Sequence, residues 1–394
     1  MPKKIFFVIA VMACAIWLRV ILLDKPGYVF DIQSFVSWGE QVKSGGLKGL
    51  YSDSNSYAYK YPPIIPALTA FSTSFNEANP EKAFKYIPIT FDILLSLITI
   101  YFVLLSKLDK KYYLAAIVAI QPAFALAGAG WGQVDSVLAT FIVLGVVTAI
   151  KYEYLATMIF FLAILVKPQA ILALAVYLAY LFFAKKIKVF SIQIVFLALI
   201  YALIEIIFRK FFSFSIWPFL ANSVGFYKNL SLNAFNFWWL TYGHRSWDIQ
   251  DTAKAIISYK SIGLALFALS IIPAILYLRK AKKAEDLALV MGYVYLAFFV
   301  FPTQIHERYL FPAVALLAFA PLVDKKFFYP YIALVATFLV NIFAVLQSVY
   351  PQFIFLRYNL LAGDWTRIIA AINVGICLYL FAWFCQKVII NEKI

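Results

Sequence analysis

What most constrains this chain is its division into apolar stretches, many near the length that crosses a bilayer, joined by mostly short polar links. Runs such as IFFVIAVMACAIWLRVILL, IPITFDILLSLITIYFVLL and VLATFIVLGVVTAI carry almost no charge. In hydrocarbon a backbone must satisfy its own polar groups, so segments of this kind fold as helices. Counting them gives about twelve spans, near 5–23, 86–106, 112–127, 133–150, 154–166, 169–184, 190–208, 258–278, 286–303, 308–322, 328–349 and 366–386. The two that meet at Lys167-Pro168 are short. Composition agrees: 64% of residues are hydrophobic and 13% charged, where soluble domains run near half and a quarter. The expectation is an all-α polytopic membrane protein forming a single domain over 1–394.

The net charge of +15 would suit a nucleic-acid binder, but the placement of Lys and Arg argues against that. They gather in short links: PKK at the start, KLDKK at 107–111, KKIK at 185–188, RKAKK at 279–283 and DKK at 324–326. With the first link inside, all the others fall on the same side, and so do both termini. This is the positive-inside pattern of a multi-pass membrane protein, and no nucleic-acid partner is implied. Cys14, Cys377 and Cys385 lie in apolar segments; the last two are about 12 Å apart along one helix, too far for a disulfide. VMAC at 11–14 resembles a lipoprotein cleavage site, but the apolar run continues to Leu23, so an uncleaved span is expected.

The other side then carries the unusual polar residues. Two long segments face out, 24–85 and 209–257, with short turns at 128–136 (GAGWGQVDS), 167–169, 305–308 (IHER) and 350–364. In DIQSFVSWGEQV, residues Ile32, Phe35, Val36, Trp38 and Gly39 share one helical face, which predicts an amphipathic helix along the bilayer surface, ended by SGG at 44–46. The aromatics of SIWPFLANSVGFYKNLSLNAFNFWWL suit the headgroup level.

Among these residues Asp31 is either an N-cap or a general base for a hydroxyl nucleophile; position alone favours the cap. Asp135 at the start of a span also suits a helix cap. Trp131 and Gln133 offer a stacking and hydrogen-bonding surface for a sugar. Lys167, His306 and Arg308 are outward cations or imidazole suited to an anionic headgroup, Arg308 by a bidentate fork to phosphate. Glu307 is placed to hold Arg308, and Tyr309 continues an aromatic rim. Tyr61, with two prolines after it, opens YPPIIPALTA, a stiff lead into an apolar helix. The common side of these residues is what makes them a candidate site.

Taken in order, these motifs resemble those of the membrane glycosyltransferases of the GT-C fold, most of all the glucosyltransferases that extend the lipid-linked N-glycan precursor with dolichyl-phosphate glucose. Asp31 followed by Trp38 is similar to the family's first-loop motif, YKYPPIIPALTA to its aromatic-Pro-Pro-Leu-Thr-Ala segment, WGQVDS to its aromatic-Gln-x-Asn/Asp-Ser turn, VKPQ to its Lys-Gln segment and IHER to its His-Glu-Lys. Arg308 stands where the family has lysine, Pro168 follows Lys167, and the chain is shorter than the eukaryotic enzymes, which suggests a prokaryotic relative in the plasma membrane. The resemblance implies a GT-C fold with interfacial helices in both long outer loops. It implies an inverting transfer from a polyprenyl (dolichyl or undecaprenyl) phosphate donor to a glycan, glycolipid or protein acceptor. In that scheme Asp31 is the catalytic base, Lys167, His306 and Arg308 bind the donor phosphate, and Tyr61, Trp131, Gln133, Asp135 and Glu307 line the substrate. No cofactor or metal is implied, since the first loop lacks an Asp-x-Asp arrangement, Asp24 and Asp53 being the possible exceptions. A secondary transporter or lipid flippase is the alternative; Asp92, Glu205, Asn341 and Asn373 are the main polar residues within apolar segments, and sequence alone does not make them a pathway. A polymerase or ligase acting on pyrophosphate-linked lipids and a lipid-binding scaffold are further alternatives.

Overall fold

The structure, a computed structural model, describes residues 2–51, 61–184, 187–218, 227–250, 258–349 and 359–389. Asp53, Tyr59, Lys60 and residues 219–226 and 350–358 of the outer segments lie outside the described residues. The described residues are almost wholly helical, apart from a two-residue parallel pairing of Ser231–Leu232 with Ile305–His306 and two isolated bridges. Among the described residues, seven helices are long and apolar enough to cross a membrane: Ile5–Leu23, Pro80–Leu105, Lys111–Trp131, Ile187–Phe212, Tyr259–Lys280, Lys325–Ser348 and Trp365–Ile389.

The remaining expected spans are also helical, but short. Asp135–Thr148 and Glu153–Val166 have 14 residues each, about 21 Å of helix against a hydrocarbon core of about 30 Å. Ala284–Val300 has 17, and the stretch expected at 308–322 is split into Phe311–Leu317 and Ala320–Val323. These inner helices are wrapped by protein. Thirteen of the fourteen residues from Leu287 to Val300 are buried, while Ile187–Phe212 is almost bare along its apolar length.

Local chemistry sets several boundaries that hydropathy misses. The 80–105 helix begins six residues before its apolar run because Asn79 caps it, accepting from the Lys82 amide, and Pro80 needs no donor in the first turn. The 111–131 segment breaks at Gln121 (φ +23°) before Pro122, then closes in a π-helical turn at Leu126–Trp131. Arg19 fills the resulting gap: its guanidinium donates to the Ile120 carbonyl and pairs with Asp92 at 2.9 Å, both side chains buried.

One expectation about the long segments changes. The helix predicted for 31–42 runs over Val29–Leu50, and Gly46 (φ +64°) kinks rather than ends it. Its Ile32, Phe35 and Gly39 face is buried as the spacing implied, but against protein: Phe35 stacks on Phe84 at 4.8 Å, and Gly39 abuts Thr69 and Ala70 of the Ile64–Thr73 helix. In the other segment, Leu230, Ala234, Phe235 and Trp239 are fully buried in protein, while Trp217 is exposed. Backbone that enters a helical bundle needs donors and acceptors from it. Asn341 supplies both, to the Phe235 amide (3.0 Å) and the Asn233 carbonyl (2.8 Å), and Asn373 donates to the Phe235 carbonyl (2.9 Å). Trp239 donates to Thr366 and Trp238 to the Phe301 carbonyl.

Candidate functional site

The site is assembled where five segments distant in sequence meet: the start of the 29–50 helix, Tyr61 ahead of the 64–73 helix, the turn at 126–135, Lys167 at the end of the 153–166 helix, and the strand and turn at 305–309. Tyr28, not Asp31, is the N-cap of the 29–50 helix, and no side chain caps it. The Asp31 carboxylate turns sideways instead. Its Oδ2 accepts from the Trp131 indole at 2.9 Å and from the Gln133 amide at 2.6 Å. Among the described residues its Oδ1 has no hydrogen-bond partner. The Tyr28 amide donates to the Trp131 carbonyl at 3.3 Å, which ties the two segments beside the acid.

The π-helical turn is what brings Trp131 and Gln133 to Asp31. Gly132 leaves it at φ +91°, and a Cβ there would stand 2.4 Å from Ile32 Cδ1, so both conformation and space demand glycine. Trp131 and Gln133, read in the sequence as a surface for a sugar, are thereby brought against the acid. Their N–H groups are committed to Asp31, and the Trp131 ring, itself buried, faces the Arg308 guanidinium at 5.8 Å. The Gln133 Oε1 is buried without a partner.

Asp135 likewise is not a cap. Val134 occupies the N-cap of its helix, and the carboxylate accepts from Lys167 Nζ at 2.7 Å with both side chains 2% exposed. Lys167 ends the 153–166 helix, and Pro168 prevents continuation. Its ammonium lies 5.3 Å from the Tyr61 ring and 5.9 Å from Tyr309. So Lys167 is not the free outward cation expected; a buried acid already claims it. Burial raises the Tyr61 phenol above its ordinary range, with Arg308 opposing.

His306 is set by the strand pairing with Leu232, by a bridge to Asn233, and by the turn at Gln304 (φ +67°). Its ring lies between Tyr227 (5.0 Å) and Tyr309 (5.4 Å), with Nδ1 3.9 Å from Glu307 Oε2. Burial first, then the charges of Arg308 and Lys167, hold its imidazole well below the ordinary 6.5, so it is neutral at pH 7. Glu307 is buried and accepts from Arg308 Nη1 at 3.1 Å, the holding role expected of it. Burial lifts the Glu307 carboxyl above the usual range, against the pull of Arg308. Arg308 Nε is buried and unpartnered.

All nine residues singled out in the sequence thus belong to one connected cluster, and the field of Asp31 reaches Tyr61, Tyr227, Glu307 and Arg308. Sequence reasoning missed Tyr28, Tyr227 and Lys85. Lys85 shares a helix face with Pro88 and Asp92, at spacings of three and seven, and that spacing marked it as an inward cation. The Asn341 and Asn373 side chains, noted in the sequence as polar residues within apolar segments, fix the backbone that sets His306. No protein-family model matches the chain, and comparison with curated proteins finds no match.

Proposed function

We propose that the chain is a GT-C-type membrane glycosyltransferase, in which the five shorter helical segments complete about twelve spans and the site opens on the outer face. It moves a sugar from a polyprenyl-phosphate donor to a hydroxyl of a glycan, glycolipid or protein acceptor. The observation that carries the reading is Asp31: one carboxylate oxygen is held by two donors while the other is left open, in the same cluster as Arg308 and His306.

In this mechanism the acceptor O–H gives its proton to Asp31 Oδ1 as its oxygen attacks the anomeric carbon. The bond from that carbon to the phosphate oxygen breaks from the opposite face, its electron pair stays with the leaving polyprenyl phosphate, and the centre is inverted. A lipid phosphate is a good leaving group, so no second acid is required. Arg308 and His306 meet the developing charge on the phosphate. Lys167, bound to Asp135, contributes its field and holds the wall behind Tyr61 and Tyr309. The donor enters sideways from the bilayer, so its tail never leaves hydrocarbon.

A transporter or flippase would need uncommitted polar groups along a path through the spans. Asp92 pairs with Arg19, Glu205 accepts from Arg209, Ser215 and the Ile216 amide, and Asn341 and Asn373 hold backbone. These commitments favour the transferase. The test incubates purified protein with labelled polyprenyl-phosphate sugars and follows transfer by mass spectrometry. Asp31→Asn is expected to keep donor binding and lose about two to four orders of magnitude in rate. Full activity in that variant removes the assigned role, and no transfer from any donor in the screen removes the reading.

A further inference from the structure

Lys85 sits in the second turn of the 80–105 helix and is 1% exposed. Among the described residues no carboxylate pairs with it; Asp24, the nearest acid in sequence to that turn's partners, is taken by Lys82. Glu81 and Asp24 bear on it only as longer-range charges, and a buried ammonium with no carboxylate in contact is costly unless it satisfies groups that nothing else reaches. Its Nζ donates to two backbone carbonyls, those of Lys25 and Gly130, the second at 3.1 Å.

Those carbonyls belong to the two strands of chain that meet at Asp31. Lys25 lies three residues before Tyr28, the N-cap of the helix bearing Asp31. Gly130 precedes Trp131, whose carbonyl receives the Tyr28 amide and whose indole holds the acid. The π-helical turn closes with Gly132 and Gln133 donating back to Gly128 and Ala127; the amides that would continue it onto the Gly130 carbonyl, those of Val134 and Asp135, do not bond to it, so that carbonyl needs a donor from outside. The ammonium is that donor, and it is a single point tied to both strands.

We propose that Lys85 is a positioning residue: it clamps residues 25–28 to residues 130–133 and thereby fixes the direction in which the open oxygen of Asp31 faces the acceptor. It touches neither donor nor acceptor. The catalytic part of this inference rests on the transferase reading; the clamp does not.

The test uses full-length protein in nanodiscs with Lys85→Met, Lys85→Arg, Asp31→Asn and the Lys85→Met/Asp31→Asn pair. Amide hydrogen exchange is expected to speed up in 24–31 and 126–133 of Lys85→Met and to stay unchanged in 325–348. With the donor that wild-type protein uses, kcat is expected to fall about ten- to a hundredfold, the cost of a misplaced group, while the donor KM moves less than about threefold. Adding Lys85→Met to Asp31→Asn is expected to cost nothing more, because the residue acts through that acid. Lys85→Arg keeps the charge and donors and is expected to recover part of kcat; it carries the test if the Met variant does not fold. Wild-type kcat in Lys85→Met, or a further loss in the double variant equal to that in the single, overturns the positioning role. Unchanged exchange in the two segments, or faster exchange everywhere, overturns the clamp. That arm decides it even if the wild-type protein transfers no sugar, an outcome that sinks the transferase reading instead.

Discussion

Lys167→Met is the perturbation that most sharply separates a structural cation from a ligand-binding one. Lys167 and Asp135 are 2.7 Å apart and each is 2% exposed, so removing the ammonium strands a buried carboxylate whose Oδ2 already lacks a partner. Breaking such a pair from one side costs about 3–5 kcal/mol, whereas replacing both partners with apolar side chains of similar size is often neutral. The two aromatic rings within 6 Å of the ammonium add about 0.5–2 kcal/mol of cation–π attraction that the Met variant also loses. Thermal and denaturant unfolding of the single variants Lys167→Met and Asp135→Leu, and of the double variant, therefore give a cycle with a coupling of about 3 kcal/mol or more. The double variant is expected to regain most of the lost stability and to bind the polyprenyl-phosphate donor with an affinity within a few-fold of wild type. Additive losses refute the pairing argument. A double variant that is stable yet no longer binds donor refutes the conclusion that Lys167 is spent on Asp135, and returns it to the phosphate.

Donor binding is expected to weaken as pH rises. In the free protein the His306 imidazole titrates below 6.5, and an adjacent phosphate favours its charged form, so binding takes up a proton. Affinity is then greatest below the free value and falls through the value in the complex, at most about tenfold per pH unit. The groups facing the ring act together: Arg308 and Lys167 hold it neutral, while Glu307 at 3.9 Å, itself easier to protonate when an anion arrives, works in the same direction as the phosphate. Titrating the donor KM from pH 5 to 8 checks this, and a His306→Gln variant with the same slope contradicts it. Asn341→Ala removes two buried hydrogen bonds to residues 233–235 and is expected to cost about 2–4 kcal/mol of stability. Because Asn233 bridges His306, the same variant is expected to raise the donor KM; a stability loss with unchanged KM disconnects the loop from the site.

The helical, membrane-type character of the chain was legible because hydrocarbon leaves a backbone few choices, so apolar runs and helices coincide. What hydropathy does not read is which apolar surface meets lipid and which meets protein. The 29–50 helix shows the difference: Ile32, Phe35 and Gly39 were rightly placed on one buried face, but spacing is identical whether that face rests on a bilayer or on Phe84 and Thr69. The aromatics at 235–239 carry the same ambiguity. Trp and Tyr belong at headgroups when their polar tips need water, and here Thr366 and the Phe301 carbonyl take the place of water.

At the site, the residues were legible and their division of labour was not. Asp31, Asp135, Lys167 and Arg308 stood out because charge in apolar surroundings always demands a reason. The reason, however, is a partner 32 residues away for Lys167 and donors 100 and 102 residues away for Asp31. Periodicity carries no information at such separations, so two acids with the same local reading as caps diverged completely. Asp135 is matched by a cation and sealed. Asp31 is gripped by two neutral donors on one oxygen only, which adds no counter-charge and leaves its other oxygen able to accept a proton. Under the proposed reading, partial exposure and the lack of a paired cation, and not the presence of an acid near a membrane surface, separate Asp31 as a base from Asp135 as a strut.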